Sequence, residues 1–544
     1  MTAISTIDIV LLLLFVAFVV IWALRNSKNK TSDDYFLAGK SMSWPVIGLS
    51  LFAASVSTST LIGHSGEAFI SGIAIFNYNW ISVLVMVFFA TFFLPFYIKN
   101  GIYTIPEYLG RRFDNRSRTY FSVITIIGNV FLDAAATLYT GALVIKMICP
   151  GVDMTLLIIA LAVVTGSYTI LGGLSSAIKA DMIQSVVLIL GTIVLSFICL
   201  REFGGWADFY SRFNEGVWLK LTRPLDDPTV PWLGMIFGIP ILGFYFWGNN
   251  QVMVQKVLAA KSVDQGRKGV LFVGFLYLLT LFIIIMPGLM ARGMNIFGVE
   301  LPDTIVSGLT LKTEYGVNTD SVYPALILKY LPNGLIGIML AAMISALTST
   351  LSATLNSVST LFTMDFYTRF SKNHESRHLV RVGQITSLVV LVFAVIWAPF
   401  IQKFDSLVSY YQEIVSYLSP PVVGAFFLGL FWKRSNAHGS FWGLVAGFVV
   451  GVIIMVLKYI VGMEITIHFL LLAPVLMVIS MAVNVIVSLC TEAPAPEKVE
   501  GNTWTKEYWK EETATYKGVK WYRNYRILAL ILVVLCFAEY FIFM

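Results

Sequence analysis

A series of long apolar stretches constrains this chain more than any other feature of its sequence. Runs of about 20 residues with few charges recur from one end to the other, and a helix of that length crosses the roughly 30 Å hydrocarbon core of a bilayer. Of the 544 residues, 57% are hydrophobic and only 12% are charged, whereas about a quarter are charged in an ordinary soluble domain. The sequence therefore predicts an all-α polytopic membrane protein embedded in a lipid bilayer and excludes a soluble globular one.

Fourteen spans can be placed, and the charges between them indicate an orientation. The spans lie near residues 7–25, 44–71, 75–98, 119–148, 153–172, 181–200, 232–257, 268–291, 333–366, 380–402, 405–432, 436–459, 465–490 and 525–544. With the amino terminus outside, most of the 37 Lys and Arg residues fall in inner loops, as is usual for cytoplasmic loops. We therefore expect a multi-pass protein of the plasma membrane, in this case a bacterial inner membrane, with both termini outside the cytoplasm. The same loops explain the net charge of +6 without a nucleic-acid partner.

Three spans carry interruptions of a kind found in transporters. They are "AASVSTST" in span two, "GIPILGFYFWGNNQ" in span seven and "YLSPPVVG" in span eleven. Unwound backbone at membrane depth is tolerated only inside the protein or against a watery cavity. Because spans two and seven each open a block of five spans, we expect an inverted repeat. The expected divisions are 1–43 for the first helix and loop, 44–200 for the first repeat, 201–231 for an extracellular loop, 232–432 for the second repeat, 433–490 for two further spans, 491–524 for a cytoplasmic linker and 525–544 for the last span.

Residues 341–367 combine an apolar run with many Ser and Thr side chains. Positions three and four apart share a helix face, so Ser349 and Thr350 line one stripe with Ala346. A hard cation such as Na⁺ takes several oxygen ligands, and carbonyl groups become available if span two unwinds at "AASVS". The predicted sodium site consists of Ala53, Val56, Ala346, Ser349 and Thr350. The alternative is that each hydroxyl bonds back to a carbonyl of its own helix or joins neighbouring helices.

Six motifs in a fixed order carry a resemblance to a known family. They are "DYFLAGKSMSWPVIGLSLFAASVS", "GIYTIPEYLGRRF", "GGLSSAIKADMIQ", "NNQVMVQKVLAAKS", "LNSVSTLFTMDFY" and "SYLSPPVVGAFFLGLFWKR". Over residues 33–435 the chain resembles the sodium/solute symporter family, specifically its sodium/glucose cotransporter branch. The resemblance implies fourteen helices, a five-plus-five inverted-repeat core of the leucine-transporter type, and alternating access driven by Na⁺ as the coupling ion. It implies the same five residues for the principal sodium site.

The resemblance also implies a role for an aspartate in span six. Asp181 matches a family aspartate near the sodium exit path, which in some members joins two hydroxyls of span nine in a second sodium site. Ser352 supplies one hydroxyl, but Ala353 stands where the second would be. We therefore expect one Na⁺ per cycle. The alternative for Asp181 is a salt bridge to Lys179 or another base at the interface.

The family geometry places the solute at mid-membrane depth, among aromatic, amide and hydroxyl side chains. The implied solute-binding residues are Thr60, Tyr78, Asn79, Ser82, Trp247, Asn250, Tyr277 and Gln412, with Phe246 as an aromatic gate. Such a lining suits a neutral polyhydroxy compound. Hexose-binding relatives carry Glu where Asn79 stands, and some carry Lys where Tyr277 stands, so the prediction is a sugar or sugar-like polyol and not specifically glucose. Asp133 replaces an Asn or Lys of relatives and is a candidate cavity carboxylate.

Two alternatives remain open at this point. The first is a symporter of the same fold for another solute, such as sialic acid, an amino acid, a carboxylate or inositol. Asp133 would favour a cation, whereas an anion would require an Arg or Lys that the candidate lining does not contain. The second is a sensor or channel, which the absence of any signalling domain from the linker disfavours. No nucleophile with an aligned base or metal cluster indicates an enzyme, and the sequence does not indicate an oligomeric state.

Overall fold

The protein is a bundle of helices. The computed structural model describes residues 4–26, 31–148, 151–371, 375–403, 407–459, 461–463 and 467–544. Within these ranges nine helices are long and apolar enough to cross a membrane, or ten if the bent pair Val263–Leu278 and Leu281–Gly293 is one span. Several of the fourteen predicted spans are shorter or broken helices, among them Trp44–Ser55. The all-α membrane fold predicted from the sequence is confirmed.

The helices follow one another with short connections. In the first part of the chain the α-helices are Thr6–Asn26, Ser32–Leu37, Trp44–Ser55, Thr58–Ser71, Asn77–Phe88, Leu94–Lys99, Ile105–Arg112, Asn115–Gly128, Ala135–Ile148, Met154–Glu202 and Trp206–Phe213. In the rest they are Ile239–Phe244, Gln251–Leu258, Val263–Leu278, Met286–Gly293, Gly308–Glu314, Val322–Tyr330, Leu335–Leu361, Thr368–Phe370, Ser376–Trp397, Leu407–Phe431, Ala437–Tyr459, Phe469–Cys490, Pro496–Val499, Lys506–Thr515 and Tyr525–Ile542. Single-turn π-helical segments interrupt several of them, at Phe89–Phe93, Asn129–Ala134, Gly234–Gly238, Tyr245–Asn249, Leu281–Ile285 and Phe362–Tyr367. Such segments often occur at functional sites.

Spans two and seven are interrupted, as the sequence predicts. The helix Trp44–Ser55 ends at Val56, whose φ of −97° and ψ of 67° are not helical, and Thr58–Ser71 starts after it; these two helices are the first broken span. In span seven the backbone is extended at Asn250, with φ −72° and ψ 122°, and the next helix is Gln251–Leu258. The residues 239–258 are called the second broken span.

The predicted break in span eleven is wrong. Pro420 and Pro421 lie inside the continuous helix Leu407–Phe431. The neighbouring helix Ala437–Tyr459 presents Gly447 against Pro421 and Gly451 against the backbone of Tyr417, so close that a Cβ on either glycine would clash. This close packing covers the backbone that the prolines leave without a helical hydrogen bond, which lets the helix continue.

The helix Leu335–Leu361, called here the hydroxyl-rich helix, is buried along nearly all of its length. It packs against the first helix Thr6–Asn26, the long helix Met154–Glu202 and the helix Ser376–Trp397. At its start, the backbone N–H groups of Gly334 and Gly337 each donate to Oδ1 of Asp8 at 2.7 Å. A carboxylate is stabilised at a helix amino terminus, so Asp8 fixes where this helix begins.

The division of the chain into two five-span repeats, at residues 44–200 and 232–432, remains a prediction. Residues 27–30 in the predicted first loop, 405–406 in predicted span eleven and 465–466 in predicted span thirteen lie outside the described residues. The two broken spans and the hydroxyl-rich helix surround the candidate site.

Candidate functional site

The break in the first broken span supplies backbone oxygens. A helix leaves its last four carbonyl groups without an intrahelical donor, and here the helix ends at Ser55. The carbonyl of Phe52 accepts from the Val56 N–H at 2.7 Å, and that of Ser55 accepts from Thr60 Oγ1 at 2.8 Å. Ala53 and Val56, the predicted carbonyl ligands, are each 1% exposed. The break therefore leaves Ala53 and Val56 buried beside the end of the helix.

The hydroxyl-rich helix lies directly against this break. Thr58 Oγ1 donates to the carbonyl of Met343 at 2.5 Å, one turn before Ala346. Thr350 Oγ1 donates to the Ala346 carbonyl at 3.1 Å, and Ser349 Oγ donates to Asp181 Oδ1. Thr350 thus makes the back-bond that was the alternative to ligation, yet a hydroxyl oxygen that donates its proton keeps lone pairs for a cation. The structure brings into contact the two elements that carry the five predicted sodium ligands.

Asp181 joins three parts of the protein through its carboxylate. The sequence places it at the start of span six, and it lies about two turns after Gly173, whose φ of 57° and ψ of −162° divide Met154–Glu202 into two helical parts. Ser50 Oγ of the first broken span donates to Oδ2 at 2.6 Å, and Ser349 donates to Oδ1. The predicted partner Ser352 is fully buried, and its Oγ has no hydrogen-bond partner among the described residues.

Lys256, which is not among the predicted site residues, pairs with Asp181. Its Nζ lies 2.6 Å from Asp181 Oδ2 and donates to the Ser50 carbonyl at 3.0 Å, and both charged side chains are fully buried. The alternative of an ion pair for Asp181 is therefore realised with this lysine of the second broken span. A signal was present, since Lys256 stands in the motif "NNQVMVQKVLAAKS" at the end of predicted span seven, and an ionisable residue at membrane depth is a functional suspect by default.

The predicted solute residues surround one cavity of about 190 Å³, called here the main cavity. Its lining includes Thr60, Tyr78, Asn79, Ser82, Phe246, Trp247, Asn250, Tyr277 and Gln412. The rings of Phe246 and Tyr277 each meet Trp247 edge to face, with centroids 5.2 Å apart in both pairs. This arrangement fixes an aromatic wall on the second broken span and the helix beside it.

Two nitrogen atoms of the main cavity's lining residues lack a partner within the described structure. They are Nε1 of the buried Trp247 and Nδ1 of His64, which was not among the predicted residues. Buried polar groups normally have a hydrogen-bond partner, so these atoms suit a polar solute or water. Asn79 and Asn250 are already engaged, Asn79 donating to Thr280 at 2.7 Å and Asn250 accepting from the Val252 N–H at 2.8 Å.

Asp133 does reach the main cavity. It lies in the π-helical segment Asn129–Ala134 and lines the cavity together with Tyr245 and Tyr411, and it is hydrogen-bonded to the side chain of Tyr411. Among the described lining residues there is no Lys, Arg or Glu. The cavity thus combines an aromatic wall, amides and hydroxyls with a single carboxylate.

Tyr78 and Gln412 separate the main cavity from a smaller one. The second cavity, of about 60 Å³, is lined by these two residues and by Glu67, Thr229 and His468, among others. Thr229 belongs to the predicted extracellular loop, so this cavity lies toward the predicted outer side. Tyr78 and Gln412 therefore lie between the two cavities.

Comparisons with known proteins agree with these features. A family model described as "Sodium:solute symporter family" matches residues 35–447. Sodium/glucose cotransporter 1 of Oryctolagus cuniculus is 33% identical over 525 residues, covering 90% of this chain and 79% of that protein. Sodium/glucose cotransporter 4 of Danio rerio is 33% identical over 537 residues, covering 93% and 81%.

Two solved structures share the fold. One is the substrate-bound, outward-open state of a Na⁺-coupled sialic acid symporter, with a TM-score of 0.77 and 22% identity over 90% of this chain and 99% of that one. The other is a nucleobase-cation-symport-1 family transporter in a closed conformation, with a TM-score of 0.52 and 11% identity over 88% and 98%. At these identities the likeness concerns the arrangement of the helices.

Proposed function

The chain belongs to the sodium:solute symporter family, as its motifs indicated, and from that premise we propose that it carries a sugar or sugar-like polyol together with Na⁺. The family and its solved neighbours are transporters, the protein is a multi-pass membrane protein, and Na⁺ is the coupling ion. The identity of the solute and the residues that bind it belong to the proposal. So do a bacterial inner membrane location and termini outside the cytoplasm, for which the basic inner loops are the support.

One observation carries the proposal, namely that Thr350 belongs to both parts of the site. It is one of the five proposed sodium ligands, with Ala53, Val56, Ala346 and Ser349, and it also lines the main cavity. A cation held at Thr350 would therefore lie next to the solute. Because each ligand then stabilises the arrangement that the other requires, binding of one favours binding of the other.

The lining of the main cavity supports a neutral polyhydroxy solute. Tyr277, Trp247 and Phe246 offer apolar ring faces and edges, while Nε1 of Trp247 and Nδ1 of His64 have no partner in the described structure. A site that leaves polar atoms unpaired discriminates strongly in favour of a solute whose hydroxyl groups satisfy them. The named relatives are sodium/glucose cotransporters, which supports a sugar.

Uptake into proteoliposomes tests this proposal. Purified protein is reconstituted, an inward Na⁺ gradient is imposed, and labelled hexoses, inositol, sialic acid and amino acids are screened in turn. We expect a hexose or polyol to accumulate above its external concentration with Na⁺ outside, and not with K⁺ outside or after the gradient has been collapsed. The proposal fails if no tested solute accumulates in a Na⁺-dependent way.

Asp133 favours a second candidate, a solute that carries a positive charge. A carboxylate in the membrane interior is costly unless it is paired, and the described lining of the main cavity contains no Lys or Arg to pair with it. An amine-bearing solute would supply that partner. Asp133→Asn should then abolish uptake of the amine while leaving uptake of neutral sugars within about threefold, a comparison that separates the two candidates.

A further inference from the structure

The Lys256 and Asp181 pair ties the second broken span to the proposed sodium site. Lys256 Nζ lies 2.6 Å from Asp181 Oδ2 and 3.0 Å from the carbonyl of Ser50. Ser50 also donates its hydroxyl to the same carboxylate oxygen at 2.6 Å. The proposed ligand Ser349 donates to the other oxygen, Oδ1. One buried carboxylate therefore gathers an ammonium group and two hydroxyl groups from three different elements.

The charges at this point allow one cation more easily than two. Asp181 and Lys256 are both fully buried, so each would be strongly disfavoured without the other. Only the carboxylate of Asp181 would separate a Na⁺ ion at Ser349 from the ammonium group of Lys256. The buried surroundings screen charges poorly. The ion and the ammonium group would repel each other, and both would draw on the single negative charge of Asp181.

The position of Lys256 in the chain adds a link to the solute. It belongs to the helix Gln251–Leu258, which begins directly after the break at Asn250. Asn250 caps that helix and lines the main cavity. Met253, one turn before Lys256, also lines the cavity. A displacement of Lys256 would therefore act on the same short helix that forms part of the cavity wall.

We propose that Lys256 is a tethered cation that occupies Asp181 when Na⁺ is absent, so that Na⁺ binding and the Lys256 to Asp181 ion pair oppose each other. The proposal rests on the proposed sodium site. In the ion-free carrier the ammonium group keeps the buried carboxylate neutralised. When Na⁺ binds, the ion pair weakens and the helix Gln251–Leu258 is released, and when Lys256 returns it favours departure of the ion. By linkage, any change that removes the lysine charge must strengthen Na⁺ binding.

Direct Na⁺ binding to purified protein in nanodiscs tests this, with no solute present. We expect Lys256→Met to lower the Na⁺ concentration for half-saturation of ²²Na⁺ binding by about tenfold, within the usual range of couplings between sites. Lys256→Arg, which keeps the charge, should stay close to the unaltered protein. The matched control is Lys268→Met, because Lys268 pairs with Asp264 at 2.7 Å one turn away on its own helix and touches no proposed ligand. It should leave half-saturation unchanged.

A second measurement uses the unaltered protein, so that it does not depend on whether a variant folds. We expect Na⁺ to speed backbone hydrogen exchange in residues 251–258, since release of Lys256 frees that helix, and to leave exchange in residues 437–459 unchanged. Unchanged or weaker Na⁺ binding by Lys256→Met would overturn the inference, as would slower or unaltered exchange of 251–258. If the unaltered protein binds no Na⁺ at all, the proposed function itself fails, which is a distinguishable result.

Discussion

Ser349 shows how one hydroxyl group serves two demands. Its single proton goes to Asp181, which leaves the oxygen's lone pairs available in a place that is only 1% exposed. Thr350, the next residue, donates to the carbonyl of Ala346 and so holds that carbonyl beside its own oxygen. At the scale of the residue, the proposed sodium site consists of oxygens whose orientations are already fixed by neighbouring groups.

Replacement of this hydroxyl tests the site. We expect Ser349→Ala to raise the Na⁺ concentration for half-maximal solute uptake at least about tenfold, since a lost ligand to a charged group costs about 1.5–3 kcal/mol. Ser359→Ala is the matched control, because Ser359 is equally buried in the same helix but is not a proposed ligand. Equal effects of the two substitutions on Na⁺ dependence would contradict the assignment.

The alanine at position 353 predicts the number of Na⁺ ions carried per cycle. Ala353 lacks the hydroxyl that a second sodium site would need, so one Na⁺ is expected per cycle. The dependence of uptake on Na⁺ should then be hyperbolic, with a Hill coefficient of about one in the unaltered protein. A coefficient near two in the unaltered protein would show that two ions are carried.

At the scale of the element, Asp365 fixes the carboxyl-terminal end of the hydroxyl-rich helix. It follows that helix in the segment Phe362–Tyr367 and accepts from Thr104 at 2.8 Å, Arg118 at 2.6 Å and Ser122 at 2.5 Å. These three donors flank or belong to the helices Ile105–Arg112 and Asn115–Gly128. The buried carboxylate thereby holds those two helices against the end of the hydroxyl-rich helix.

Removal of Arg118, the charge partner of Asp365, should destabilise the folded protein. We expect Arg118→Met to lower the free energy of unfolding by about 3–5 kcal/mol, because it leaves the fully buried Asp365 without a counter-charge. The exposed ion pair of Arg116 with Asp114 provides the comparison, and Arg116→Met should cost at most about 1 kcal/mol. Denaturant unfolding in detergent micelles measures both, and similar losses for the two variants would argue against this role of Asp365.

The linker helix Lys506–Thr515 docks through a charged cluster. Glu512 lies 2.6 Å from Arg267 and 3.0 Å from Arg526. Burial by itself raises the pKa of Glu512, but the two guanidinium groups outweigh it and hold the pKa below its usual value. A carboxyl group whose pKa is lower in the folded state stabilises that state at high pH and loses this contribution as the pH falls through the lowered pKa.

The lowered pKa of Glu512 can be tested by proteolytic cleavage of the linker at different pH values. We expect limited proteolysis of residues 491–524 to be slow and constant above the ordinary glutamate pKa of about 4.5, and to accelerate as the pH falls below it. Glu512→Gln should be cleaved readily at neutral pH, with a rate that changes little with pH. Glu511→Gln serves as the control, since Glu511 forms no ion pair with Arg267 or Arg526. Cleavage of the unaltered linker that does not depend on pH would contradict the assignment.

The sequence predicts some elements because their cause is local. The breaks at Val56 and Asn250 follow from small, Gly and Asn residues that end a helix where they stand. The expected break at Pro420 was wrong because its outcome depends on Gly447 and Gly451 of another helix, which no local pattern contains. The pairing of Lys256 with Asp181 could not be predicted for the same reason, since the two residues lie far apart in the chain and meet only in the folded bundle.

At the scale of the whole molecule, the two broken spans and the hydroxyl-rich helix meet around one site. Thr350 links the proposed ion site to the main cavity, while Lys256 links it to the helix that follows Asn250. The resemblance in the sequence supplied the residues around the cavity, whereas His64 and Tyr411 became visible only as neighbours in space. We propose that one solute and one Na⁺ cross the membrane together because their sites share this lining.

Simultaneous measurement of Na⁺ and solute entry tests this coupling. Proteoliposomes without a Na⁺ gradient are given an inward gradient of the solute identified by screening, and entry of ²²Na⁺ and of the labelled solute is followed in the same sample. We predict that the solute gradient drives net Na⁺ entry, so that Na⁺ inside rises above Na⁺ outside, with a flux ratio near one, and that Ser349→Ala abolishes this at low Na⁺. Solute entry without any accompanying Na⁺ movement would contradict the account.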